Sequence, residues 1–288
     1  MKTIAVLTDF SPVSEHAALY ALHLAKKIKA DVLLYHLDRS PVPGKLVFAS
    51  GFPDDEDLDV KPGIHERLEV FSDRLKNLLI DRSFPDCILP EITYNQHNQE
   101  IVDVMTSVVN SNDIMLIVTA PPAGQDMATY MLSEHCRQIM QWATVPVIVV
   151  PDATAIRNPE KIAITANLDE QDIDYINALI NLVEQFPVEI MVSHLTQNHF
   201  LESKFTPSEN NLVTGIRKKI AYGRIYYRRI IVGAQEKGWK WLNDNKKCDL
   251  LVIRRQPQNA LNEFFNLGRT PATTHHITIP VIVLPDAG

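Results

Sequence analysis

The chain has 288 residues, 45% of them hydrophobic and 22% charged, with a net charge of −7. No apolar run reaches the roughly 18 residues that span a bilayer, and the acidic balance argues against a general nucleic-acid binder. The charge is uneven: residues 1–159 carry 13 Lys and Arg against 21 Asp and Glu, while residues 160–288 carry 15 against 14.

Residues 2–8 form a continuous apolar strand that breaks at Asp9. The run is too short and too early for a signal peptide, so a cytoplasmic protein is expected. Ser11 and Pro12 then open a helix near 13–29, Ser as the cap and Pro at the first helical position. Residues 31–37 read as a second strand. A loop rich in Pro, Gly and acid (38–62) contains Asp54-Asp55-Glu56-Asp57-Leu58-Asp59. A helix near 64–80, a weaker strand near 87–94, a helix near 98–110 and a strong strand at 114–118 follow. A helix near 129–142 and a strand at 146–150 complete the first half.

The second half repeats this order: strand 161–166, helix 170–185, strand 188–194, helix 208–222, strand 225–232, helix 235–244, strand 249–253, a short helix near 271–277 and strand 280–284. The repetition is also literal. Thr144-Val145-Pro146-Val147-Ile148-Val149-Val150-Pro151-Asp152-Ala153 returns as Thr278-Ile279-Pro280-Val281-Ile282-Val283-Leu284-Pro285-Asp286-Ala287, and Lys2–Phe10 is answered by Glu160–Leu168. Such self-similarity predicts two copies of one domain, residues 1–152 and 160–288, joined by a linker at 153–159. Continuous apolar strands alternating with helices predict parallel sheets covered on both faces.

Three features together resemble the universal stress protein family: a strand ending in Thr8-Asp9-Phe10-Ser11-Pro12-Val13-Ser14 before an alanine-rich helix, a strand ending at His36-Leu37, and the closing Val145-Pro146-Val147-Ile148-Val149-Val150. The resemblance implies two flavodoxin-like, doubly wound domains, each with a five-stranded parallel sheet in the order 3-2-1-4-5. It places any ligand at the C-terminal ends of strands 1 and 4, the switch point. It also implies that the closing strands pair with one another. Here that means 146–150 with 280–284 inside one chain, because the linker raises their effective concentration. A homodimer through other surfaces and an unidentified protein partner remain compatible with it.

In ATP-binding relatives an Asp follows strand 1, and a glycine loop after strand 4, G-x-x-G and then G-S or G-T, wraps the phosphates. Backbone N–H groups must come close there, and side chains would block them. The first half matches poorly. Counting back from Pro146 puts Ser133-Glu134 on the family's Gly-Ser, and Ala120 and Ala123 on its earlier glycines. A shift of one residue gains Gly124 but leaves Pro121 and Glu134 on the others. Pro121 and Pro122 lack the N–H a phosphate cradle uses. The candidate crevice is therefore Asp9, Phe10, Ser11, His36, Thr119, Ala120, Gly124 and Ser133, without ATP or AMP as an expected cofactor.

In the second half Asn167 replaces Asp9, and the loop reads Arg254-Arg255-Gln256-Pro257-Gln258-Asn259. One gap aligns Gly268 with the distal glycine and puts Arg269 beside it. Arg254, Arg255 and Arg269 can attract an anion; the simpler reading is three solvated loop arginines. Thr270-Pro271 is a helix start.

The remaining motifs have plainer readings. Cys87, Cys136 and Cys248 are scattered, which suits idle thiols in a reducing compartment. His275 and His276 are adjacent, and His16 and His23 lie two helical turns apart, so neither pair suits a metal. His36 and His194 share one place in the repeat and read as scaffold. Arg217, Lys218, Lys219, Arg224, Arg228 and Arg229 with Tyr222, Tyr226 and Tyr227 read as charged protection of an edge strand rather than an RNA surface. No nucleophile elbow or paired carboxylates appear. The expectation is a non-enzymatic stress-response or regulatory protein; the alternative is a nucleotide or small-metabolite sensor using the first crevice.

Overall fold

Among the described residues, ten strands form one sheet in the order β3-β2-β1-β4-β5-β10-β9-β6-β7-β8. The computed structural model describes residues 2–37, 63–81, 89–95, 101–111, 113–196, 205–231, 242, 248–256, 261, 264–265 and 277–286. The first half contributes β1 (Thr3–Thr8), α1 (Pro12–Ile28), β2 (Asp31–His36), α2 (Ile64–Asp81), β3 (Ile92–Tyr94), α3 (Ile101–Asn110), β4 (Ile114–Thr119), α4 (Met127–Met131), α5 (Glu134–Trp142) and β5 (Val147–Val149). The second contributes β6 (Lys161–Thr165), α6 (Asp172–Val183), β7 (Glu189–Thr196), α7 (Pro207–Lys219), β8 (Ile225–Ile231), β9 (Leu250–Arg254) and β10 (Val281–Leu284). Within each half every strand pair is parallel. The acidic loop at 54–59, the helices expected at 235–244 and 271–277, Gly268, Arg269, His275, His276 and Cys87 lie outside the described residues apart from Leu242, which is helical, and Ile277, which is not.

Strand alternation divides the core into two layers, because successive side chains leave opposite faces of the sheet. Ile4 and Val6, Val32 and Leu34, Ile148 and Val150, Ile162 and Ile164, Leu250 and Val252, and Ile282 face one layer, with α1, α2, α6 and α7. Ala5 and Leu7, Val147 and Val149, Leu251 and Ile253, and Val281 and Val283 face the other, with α3, α4 and α5. Each layer runs through both halves without a break. A register shift between Thr3 and Ile4 marks an irregularity where β1 meets β4.

The single helix expected near 129–142 is two. Asp126 caps α4 by accepting from Thr129 N at 3.0 Å, and Ser133 caps α5 by accepting from Cys136 N at 3.1 Å. A short polar side chain that bonds the backbone ahead of it ends one helix and begins the next. Ser11 caps α1 with Pro12 at its start.

The halves meet where β5 and β10 pair antiparallel, Val147 with Val283, Ile148 with Ile282 and Val149 with Val281. Ile148 and Ile282 hold the same place in the repeated segment, so a pseudo-twofold axis passes through that pair, as in an isologous dimer interface. The connecting segment is fastened on both sides. His16 Nε2 lies 2.8 Å from Thr154 O, and His23 Nε2 lies 2.9 Å from Asn158 Oδ1. The two-turn spacing of these histidines thus serves the connection. Asp249 accepts from Arg157 at 2.5 Å and from Glu160 N and Lys161 N at 3.0 Å each.

A sheet shared by two halves with continuous layers is expected to unfold in a single calorimetric transition. Ile282 is buried, and Ile282→Asp places an unpaired carboxylate on the pseudo-twofold axis. It is expected to cost about 4 kcal/mol and to split or markedly lower that transition. Cys136 and Cys248 are buried, and burial, with the Asp249 charge adding, pushes the Cys248 thiol up to about 12. Both are expected to resist iodoacetamide at neutral pH in the folded protein and to react on denaturation, read by peptide mass spectrometry.

Candidate functional site

In the first half β1 and β4 are neighbours, and β2 lies on the far side of β1. After Thr8 the chain makes a tight turn. Phe10 N donates to Thr8 Oγ1 at 3.0 Å, Ser11 N donates to Asp9 Oδ1 at 3.0 Å, and Thr8 Oγ1 lies 2.9 Å from Ser14 Oγ. Phe10 takes φ 62°, a left-handed conformation that an aromatic residue rarely adopts. The turn carries its ring to His36, stacked at 4.9 Å and 18°, and to the edge of Phe71 at 5.8 Å. The Arg67 guanidinium lies 4.2 Å from the Phe10 ring centroid, within cation–π range. Asp9, Phe10, Ser11 and His36 are thus gathered at the ends of β1 and β2.

The strand-4 side is different. Thr119 is fully buried, with its hydroxyl 3.3 Å from Tyr130 Oη instead of facing a ligand. Ala120 is buried as well. Gln125 N donates to Pro122 O at 3.0 Å, and Gly124 takes φ 78°, the third position of a type II turn that favours glycine. Thr129 N is taken by Asp126, Tyr130 N by Asp126 O, Ser133 N by Tyr130 O and Cys136 N by Ser133. Ser133, expected as a hydroxyl near a ligand, is a helix cap. Met127, Ala128, Tyr130 and Met131 are buried in the core. The N–H groups of Gln125, Thr129, Tyr130, Ser133 and Cys136 thus bond the chain itself.

The second half repeats the turn with different chemistry. Leu168 takes φ 63° in the place of Phe10. Asp172, in the place of Ser14, is buried and accepts from Asn167 N at 3.2 Å, Leu168 N at 2.7 Å and Asp169 N at 3.2 Å. Arg254, in the place of Ala120, is also buried. Its Nη1 reaches both oxygens of Asp169, at 2.8 and 2.7 Å, and Asp172 Oδ1 at 3.3 Å. Its Nη2 donates to Gln171 Oε1 at 2.6 Å, and its Cζ lies 4.3 Å from the Tyr175 ring centroid. Burial holds the Asp172 carboxyl above the usual carboxylate range, opposed by the Asn167 and Leu168 N–H groups and by Arg254.

Arg254 is therefore neither solvated nor open to an anion. Arg255 is engaged too, with Asp286 at 2.5 Å and with Met140 O at 2.9 Å. Sequence reading singled out the arginines and missed their partners. The signal was in the repeat: Ser11, Ser14 and Ala120 of the first half become Asp169, Asp172 and Arg254, two acids and a base introduced at neighbouring positions. At the sheet edge, Arg229 pairs with Glu209, which also accepts from Tyr227 Oη at 2.6 Å. Arg229 thus turns inward to a buried acid instead of guarding the edge, and its hydrogen bonds hold Glu209 well below the usual range.

Two doubly wound halves, each with a turn at its switch point, define a flavodoxin-like α/β protein. Residues 1–151 match the universal stress protein family, and the chain belongs to that family; it is a stress-response protein on that footing. No curated protein sequence matches it. Among solved structures it is similar to a universal stress protein from Archaeoglobus fulgidus DSM 4304, with TM-score 0.56 and 10% identity over 98% of this chain and 96% of that one. A putative universal stress protein from Pseudomonas aeruginosa UCBPP-PA14 is similar with TM-score 0.55 and 10% identity over 99% and 93%. The cytoplasmic domain of a prokaryotic cation chloride cotransporter is similar with TM-score 0.50 and 11% identity over 99% and 95%. At these identities the likeness is one of fold. Among the described residues no helix is long and apolar enough to cross a membrane.

Arg254→Met strands a buried acid and is expected to cost about 3 kcal/mol. Removing Arg254 takes away an influence that lowers the Asp172 pKa, so the folded state holds its proton to higher pH than the unfolded chain does. Stability then falls as pH rises through the carboxylate range. The difference in Tm between wild type and variant is expected to be larger at about pH 7 than at about pH 4.

Proposed function

We propose that the protein is a tandem, non-enzymatic member of its family that acts as a regulatory scaffold and does not bind ATP in the family's usual manner. The observation that carries this reading is Arg254, which with Asp169, Asp172, Gln171 and Tyr175 fills the second switch point. The first half supports it in another way, since its loop after β4 is a turn closed by Gln125 N on Pro122 O and then a helix capped by Asp126, with prolines at 121 and 122 that have no N–H to offer. With β5 and β10 paired internally, the protein carries the family's strand pairing within one chain and acts as a pseudo-dimer in the cytoplasm.

The sensor reading draws support from the first half alone. Ala120 there cannot supply the charge that Arg254 supplies, and the Phe10, His36 and Arg67 stack offers an aromatic face at the crevice.

Calorimetric titration of the purified protein with ATP, AMP and cyclic AMP separates the two readings. The scaffold reading expects no binding heat at micromolar concentrations. Micromolar ATP binding that Asp9→Ala abolishes would overturn it in favour of the sensor.

A further inference from the structure

The loop after β9 serves both faces of the sheet. Leu250, Val252 and Arg254 point to the layer that holds α6, and Leu251 and Ile253 point to the layer that holds α5. Arg255 continues the second set and crosses to the other half of the molecule. Its Nη1 donates to Met140 O at 2.9 Å, Gln141 O at 3.3 Å and Ala143 O at 3.2 Å. These are carbonyls at the C-terminal end of α5, which lack intrahelical donors and carry negative dipole charge. Asp286, just after β10, holds the same guanidinium through Nε at 2.9 Å and Nη2 at 2.5 Å.

This cross-link forms part of the wall of a half-open cleft of about 450 Å³ between the halves, the seam cavity. Met131 and Met140 line it from the first half, and Leu261 and Val283 from the second. Its lining holds none of Asp9, Phe10, Asp172 or Arg254, although Gln256 at its rim reaches Asn167 of the second switch point, and it falls in the size range of small-molecule sites. Methionine side chains adapt to irregular ligand shapes.

The polar groups at its mouth narrow the ligand further. Arg137 pairs with Glu134, and Arg255 pairs with Asp286. Both guanidinium charges are matched, so an anion gains little there. Gln141 Oε1 accepts from Arg137 at 3.1 Å, which turns its amide NH₂ to other acceptors. Gln256 Nε2 lies 3.5 Å from Asn167 Oδ1, which leaves its carbonyl oxygen as an acceptor.

We propose that this seam cavity binds an uncharged small molecule with an apolar body and one hydrogen-bonding end, such as an alcohol, ketone or amide. Such a ligand touches both halves at once, whether or not either switch point takes a nucleotide.

The test uses the full chain and the neutral fluorescent probe N-phenyl-1-naphthylamine. A saturable, one-to-one rise in emission is expected. The anionic analogue 1-anilinonaphthalene-8-sulfonate is expected to bind about tenfold more weakly, because no unmatched positive charge meets it. Leu261→Trp fills the cavity and is expected to reduce neutral-probe affinity at least about tenfold with the far-UV circular dichroism unchanged. Gln141→Trp, at the exposed mouth, gives the same loss should the first variant fold poorly. Val70→Ala, on an exposed face of α2, is expected to leave binding unchanged. The proposal fails if the neutral probe does not saturate, if both tryptophan variants bind it as wild type does, or if the anionic probe binds as tightly.

Discussion

The antiparallel pairing of Val147–Val149 with Val281–Val283 is the contact on which the rest of the molecule depends. Each half ends in a short strand of fully apolar residues, and a free edge of that kind invites pairing with another chain. Pairing the two edges with each other removes that hazard and joins two five-stranded sheets into one. The helical layers then merge across the seam, and α5 of the first half comes to lie at the C-terminal ends of β9 and β10.

Once the seam is closed, the two halves are free to differ elsewhere. Both keep the turn after the first strand, including its left-handed residue, Phe10 in one and Leu168 in the other. The turn is a backbone requirement, because it swings the chain from the sheet into the next helix. What fills the space beside it is not required. The first half places an aromatic stack there, and the second an ion pair with a buried acid. A buried charge is costly unless partnered, and Asp172 has three N–H groups and Arg254. That set of partners buries Asp172 and Arg254 at the second crevice, while Asn167, Asp169 and Gln171 stay at the surface.

One loop shows how strand geometry distributes chemistry. Arg254 and Arg255 are adjacent and identical in type, yet alternation sends them to opposite faces. One joins the ion pairs at the second switch point, and the other caps a helix that belongs to the other half. Counting arginines in the loop suggests an anion site, whereas their directions consume both.

The sequence by itself determined the repeat and, among the described residues, the order of the strands, because apolar runs and their periodicity are local properties written into neighbouring residues. It also determined that Pro121, Pro122 and Gly124 stand in the loop after β4, where glycine and proline act through their own backbones. It did not determine the break at Leu132–Ser133, where Ser133 reads equally well as a helix interior or as a cap until its hydroxyl is seen bonded to Cys136 N. Nor did it determine the acids that pair with Arg254, Asp169 and Asp172, which lie more than eighty residues away in the chain. Thr119 looked like a hydroxyl for a ligand and became a buried partner of Tyr130. Only the tertiary structure decided these points, because a charge or hydroxyl takes its role from what stands opposite it in space, and that partner is set by packing rather than by neighbours in sequence.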